Sequence, residues 1–133
     1  MKNTAETETD ERGGYMQLFA YRVPKTNHRA FAEAQGKLAK IFKKHGIVRS
    51  EFFLLSPHKP FRGFSDIAQI LSASAEDEVW LELEHYKDAK NKDEVVANIG
   101  KDPLAGPLFG QVIDLCVKGT KLLQGDFSRE KLS

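Results

Sequence analysis

The stretch Glu78 to Tyr86, reading Glu-Val-Trp-Leu-Glu-Leu-Glu-His-Tyr, leaves this chain few folds to choose from. Successive side chains on a strand point to opposite faces. Val79, Leu81, Leu83 and His85 therefore share one side, and Glu78, Trp80, Glu82, Glu84 and Tyr86 the other. The first side is nearly all aliphatic, which suits packing beneath helices. The second mixes large aromatics with carboxylates, which suits a surface that is covered but not dry. The pattern predicts a central strand whose second face is the functional one.

The flanking sequence supplies partners for such a strand. Tyr15 to Val23 alternates with Tyr15, Gln17, Phe19 and Tyr21 on one side and Met16, Leu18 and Ala20 on the other. Pro24, which has no amide to donate to a ladder, stops it. Phe31, Ala34, Leu38, Ile41, Phe42 and His45 recur at helical spacing and predict a helix over Asn27 to His45. Thr26 or Asn27 is its expected cap, and Gly46 suits the left-handed position beyond its last turn. Val48 to Leu55 reads as a second strand, with Arg49, Glu51, Phe53 and Leu55 on one side. Ser56 to Gly63, with Pro57, Pro60 and Gly63, reads as a loop. Phe64 to Leu71 fits either a short helix or an irregular edge strand. A broken helix follows, with Ala89, Val95, Val96 and Ile99 inward in its first piece. Its second piece starts near Pro103 or Pro107, where proline is tolerated, and turns Leu104, Leu108, Val112, Leu115 and Cys116 inward up to Gly119. Thr120 to Phe127 is the expected last strand.

Strand, helix, strand, strand, helix, strand is the order of the ferredoxin-like βαββαβ unit, an α+β fold with a four-stranded antiparallel sheet and helices on one face. Right-handed crossovers place the first and third strands in the middle. The expected domain is 15–127, with flexible tails at 1–14 and 128–133, since the N-terminal stretch has no large apolar residue after Met1.

Composition narrows the function. A net charge of +1 gives no global attraction to nucleic acid or anionic membrane. The single cysteine excludes an internal disulfide and multi-cysteine zinc motifs. No apolar run approaches the roughly 18–20 residues of a membrane span, and the acidic N-terminus does not resemble a secretory signal, so a cytoplasmic location is expected. Glutamates among the sheet aromatics would repel phosphate, against an RNA-binding sheet. The four histidines, His28, His45, His58 and His85, show no ligand spacing. His45 reads as structural, and His85 as a satisfied boundary histidine with proton transfer or haem ligation as the alternative. His58 reads as part of a solvated loop, and Cys116 as core packing. No metal or cofactor motif is present.

With both helices on one face, the other face of the sheet is expected to lie open. Alternation places Phe19, Tyr21, Trp80 and Tyr86 there, with Arg49, Glu51, Glu82 and Glu84. Aromatics bury about 150–250 Å² each, so such a patch predicts a partner, most simply a second copy of the same sheet about a two-fold axis. Charges inside a covered face need pairing, and Arg49 with Glu82 or Glu84 is the expected ion pair. The eight residues are equally candidates for lining a polar pocket, with a carboxylate as general base or ligand anchor.

Val23-Pro24-Lys25, His45-Gly46, Asp93 to Asn98 with Lys101-Asp102-Pro103, Gly119-Thr120-Lys121 and Gly125-Asp126-Phe127 occur in succession. On these, over about Gly14 to Phe127, the chain resembles the YbaA-like family of uncharacterised small bacterial proteins (domain of unknown function 1428), in the dimeric α+β barrel superfamily. The resemblance implies a sheet-to-sheet dimer and no assigned activity. Two function classes follow: a small-molecule-binding or accessory homodimer, or a cofactor-light oxygenase or isomerase acting on a small organic substrate.

Overall fold

The computed structural model describes residues 12–119 and 122–132. The expected tail over residues 1–11, Thr120 and Lys121 in the expected last strand, and Ser133 lie outside the described residues. In chain order the elements are β1 (Tyr15–Pro24), α1 (His28–Lys44), β2 (Arg49–Leu54), α2 (Ile67–Ile70), β3 (Asp77–Tyr86), α3 (Ala89–Gly100), α4 (Ala105–Leu115) and β4 (Leu123–Ser128). The sheet order is β2-β3-β1-β4 and every neighbouring pair is antiparallel. This is the ferredoxin-like α+β arrangement, with the two longest strands in the centre.

Helix α1 forms because its apolar residues make one stripe, and Phe31, Ala34, Leu38, Ile41 and Phe42 are all buried. The chain enters it through a 3₁₀ turn, Lys25–Asn27, and no side chain caps it. Asn27, an expected cap, instead donates from Nδ2 to the Leu115 carbonyl at 2.9 Å, tying the start of α1 to the end of α4. Gly46 follows the helix with φ of 100°, the left-handed conformation expected there. The Asp88 side chain caps α3, accepting from the Asn91 amide at 2.7 Å. Helix α4 carries Pro107 in its first turn and buries Val112, while Leu104, expected inside, is 64% exposed. The ambiguous stretch after Phe64 becomes the single-turn helix α2.

The principal core lies between the sheet and the helices, and it overturns one expectation. Trp80 and Tyr86 face the helices, not the open side: the Phe31 ring of α1 meets Trp80 edge-on at 4.9 Å and Tyr21 at 5.4 Å. Cross-strand partners share a face. The pairings Tyr21–Trp80, Phe19–Glu82 and Gln17–Glu84 therefore put all of these residues beneath the helices. The aliphatic set Leu18, Ala20, Val79, Leu81 and Leu83 lies on the opposite side. There a small cluster forms where Leu71, just past α2, covers Ala20 and Val79. Among the described residues no helix covers the remainder of that face, and Phe53, Leu123 and Phe127 on it are each more than two-fifths exposed.

The end of the N-terminal segment is fixed to the sheet. The Gly14 amide donates to the Lys87 carbonyl at 3.1 Å, and Arg129, assigned from sequence to a tail, donates from Nε to the Gly13 carbonyl at 2.8 Å. Gly13 has φ of 90°, and a Cβ there would sit 3.1 Å from that of His85. Only glycine fits.

Candidate functional site

The helix-facing side of the three neighbouring strands β1, β3 and β2 carries a row of polar side chains set into an apolar core. Glu82 and Glu84, two apart on β3, point the same way, so that Glu82 bears directly on the Glu84 carboxyl. Both are buried. From β1, the Tyr21 hydroxyl donates to Glu82 Oε1 at 2.5 Å, and from α1 the Gln35 amide approaches the same oxygen at 3.4 Å. From β2, the Ser50 hydroxyl donates to Glu84 Oε1. A second row begins at Tyr86, whose hydroxyl donates to Gln17 Oε1 at 3.0 Å. Gln17 in turn donates to Asp126 Oδ1 at 3.2 Å, and the other oxygen of Asp126 accepts from Tyr15 at 2.6 Å with Lys92 Nζ 3.8 Å away. Polar groups thus run from the solvent edge at Asp126 inward to Tyr86.

Burial decides the protonation of this cluster. Among the described residues no ion pair neutralises Glu82 or Glu84. Desolvation, then the hydrogen bond and charge of Glu82, push the Glu84 carboxyl up to about 10, opposed only by Ser50. Glu84 therefore keeps its proton at neutral pH. Tyr21 and Tyr86 are pushed above the ordinary phenol range, first by burial and then by the neighbouring glutamates, so both act as hydrogen-bond donors. Asp126 is lowered, chiefly by the Tyr15 hydroxyl.

Beside this cluster a cleft of about 360 Å³ opens between β1, β4, α3 and α4. Gln17 and Phe19 form its floor, Phe42, Ile99 and Phe109 its apolar wall, and Gly100 and Gly106 line it without side chains. Gln17 and Phe19 are the cross-strand partners of Glu84 and Glu82, so the carboxyl pair adjoins the cleft floor.

The structure divides the eight residues expected to line one pocket. Phe19 lines the cleft; Tyr21, Glu82, Glu84 and Tyr86 form the buried rows beside it. Trp80 lies further along, donating from Nε1 to Glu78 at 3.0 Å, next to His28. Arg49 and Glu51 are on the opposite face, because the β2 register pairs Arg49 with His85 and Glu51 with Leu83. The expected Arg49 pair with Glu82 or Glu84 does not form: Arg49 lies 3.5 Å from Glu51, which also meets His85 Nε2 at 2.7 Å. The parity of β2 depends on register alone, and the long β2–β3 connection gives no turn from which to read it. Gln35, Ser50, Asp126 and the Phe42–Phe109 pair were not anticipated. Gln35 had a legible signal, a polar residue within the buried stripe of α1.

The remaining singled-out residues have structural partners. His45 Nε2 lies 2.8 Å from Asp102, and His28 Nδ1 2.9 Å from Glu78. His58 sits in the β2–β3 connection beside the Phe61 ring. Cys116 is buried in the core, its thiol pushed up to about 11 by desolvation. Among the described residues no three His, Cys, Asp or Glu side chains are placed to hold a metal, and no helix is long and apolar enough to cross a membrane.

Comparison with solved structures returns the same architecture. A NIPSNAP family protein of unknown function from Agrobacterium tumefaciens superposes with a TM-score of 0.55 at 16% identity, over 90% of each chain. A Streptomyces coelicolor monooxygenase in complex with nanaomycin D gives 0.59 at 14% identity, over 93% of this chain and 94% of its own. A dimeric ferredoxin-like protein from an uncultured marine organism gives 0.56 at 14% identity, over 90% and 98%. At these identities the likeness shows the fold. No curated protein sequence matches the chain. The family model described as "Protein of unknown function (DUF1428)" matches residues 14–111.

Proposed function

The chain belongs to the DUF1428 family of proteins of unknown function, and on that premise we propose that it is a homodimer that binds a small organic molecule in the cleft between its sheet and helices α3 and α4. The observation that carries the binding site is the cleft itself: an apolar recess whose floor residue, Gln17, is held by Tyr86 and Asp126. Binding sites of this kind are mostly apolar with a few fixed polar groups. That a monooxygenase of this fold is described in complex with nanaomycin D supports the reading.

The dimer is proposed on the uncovered face. Its contiguous aliphatic side chains, flanked by exposed Phe53 and Phe127, form a surface that a second copy would bury about a two-fold axis. A structural neighbour is described as dimeric. The aromatic face first expected at this contact is replaced by the aliphatic one. A cytoplasmic location accompanies this reading.

An enzyme is the second reading, favoured by one observation. The protonated Glu84, paired with Glu82 next to the cleft floor, is placed as a proton reservoir for isomerase-type or oxygenase-type chemistry on a bound substrate. Native mass spectrometry of the purified protein tests the proposal, with a dimer carrying a co-purifying small molecule as the expected result. A ligand-free monomer at micromolar concentration, binding nothing in a metabolite screen, would sink it.

A further inference from the structure

The character of the cleft restricts what it accepts. The clefts beside Leu55–His58, around His45–Asp102 and along Lys40–Arg49 are each edged by lysines, an arginine or carboxylates. Among the described residues, the lining of the sheet–helix cleft carries no charged side chain. A charged ligand buried there would lose hydration without a counter-ion, a cost of several kcal/mol or more. Aromatic rings dominate the apolar surface: Phe19 on the floor, with Phe42 and Phe109 meeting edge-on at 6.2 Å. Phe109 is 40% exposed and Val96 46%, so apolar surface at the mouth awaits cover. The small-residue side has room, since a Cβ added at Gly100 or Gly106 would meet nothing within 4 Å.

Polar recognition comes from two amides. Gln17 spends one N–H on Asp126 and one carbonyl lone pair on Tyr86, which fixes its orientation. A second N–H and a second lone pair remain. Gln124, exposed at the mouth, adds another neutral amide.

We propose that the cleft takes a flat, uncharged aromatic molecule of one to three fused rings, bearing a single hydroxyl or carbonyl directed at the Gln17 amide. This rests on the cleft being the binding site and adds the class of molecule bound. The rings lie along Phe19 and complete the exposed edge of Phe109. The polar substituent meets an amide held in place before binding, so little ordering is required.

The test is titration calorimetry of the full chain with a matched set: 2-naphthol, naphthalene, 2-naphthoate and saturated decahydro-2-naphthol. 2-Naphthol should bind. Naphthalene, lacking the hydroxyl, should bind about tenfold more weakly. 2-Naphthoate and the saturated alcohol should bind at least about tenfold more weakly still. Gly106→Leu, which fills the cleft where no atom stands in the way, should abolish 2-naphthol binding while thermal unfolding shows an intact fold. Binding of 2-naphthoate or the saturated alcohol as tight as 2-naphthol, and blocked by Gly106→Leu, overturns the ligand class and leaves the cleft in place. Binding unchanged by Gly106→Leu, or no binding of any member, overturns both.

Discussion

The two faces of the sheet use the same strands for opposite purposes. Beneath the helices lie Tyr21, Trp80, Glu82, Glu84, Tyr86 and Gln17, every one of them large or polar. On the other side lie Leu18, Ala20, Val79, Leu81 and Leu83, with no helix of the described residues above most of them. Apolarity alone would have put the aliphatic face inside. The difference teaches that a face is buried against helices when its polar groups find partners there. Glu82 has Tyr21 and Gln35, Glu84 has Ser50, and Tyr86 has Gln17. A smooth aliphatic surface needs no such partners and is the better one to present to another flat sheet.

The contrast is most directly broken by truncation on the helix side. Trp80→Ala removes a buried ring that meets Phe31, and should cost about 3–5 kcal/mol in urea unfolding. A loss below 1 kcal/mol would mean that this face is not the principal core. On the opposite face, Leu18→Glu sets like charges against each other across the proposed two-fold axis. The dimer should weaken at least about 100-fold in sedimentation, with the subunit still folded. Unchanged association would remove that face from the interface.

The buried carboxyl pair sharpens the comparison through pH. Glu84 has an ordinary value of 4.5 and about 10 in the fold. Between these values the folded chain holds a proton that the unfolded chain has released. The unfolded state binds fewer protons, so stability falls as pH rises, by at most about 1.4 kcal/mol per unit. Stability is greatest below the unfolded value and is lost up to the folded one. Glu84→Gln should flatten this dependence across pH 5–9, and an unaltered slope would show that Glu84 is not the group responsible. The smallest effect belongs to Phe53→Ser on the uncovered face. Phe53 is 49% exposed, so subunit stability should change by about 0.5 kcal/mol or less, measured at concentrations that dissociate any dimer.

Much of this molecule was legible in its residues. The alternation of Tyr15–Val23 and Glu78–Tyr86 identified the two central strands and grouped Phe19, Tyr21, Trp80 and Tyr86 correctly, because a strand's period of two is a property of the backbone. The stripe from Phe31 to Phe42 identified α1 for the equivalent reason. Neither pattern says which side of the sheet the helices cover. That choice is made when α1, α3 and α4 pack, by whether Gln35 can reach Glu82 and whether Phe31 can meet Trp80.

The sequence by itself determined the strands and the longer helices, their order and the sets of side chains that move together; the single-turn α2 was left to the fold. Tertiary structure alone decided where Arg49 and Glu51 went, since the β2 register is a long-range pairing and a shift of one residue exchanges the faces. It also decided that Gln17, Phe42, Phe109 and Gly106 meet around one cleft. These residues come from three separate elements, β1, α1 and α4, and no local periodicity encodes the distances between elements; packing sets them.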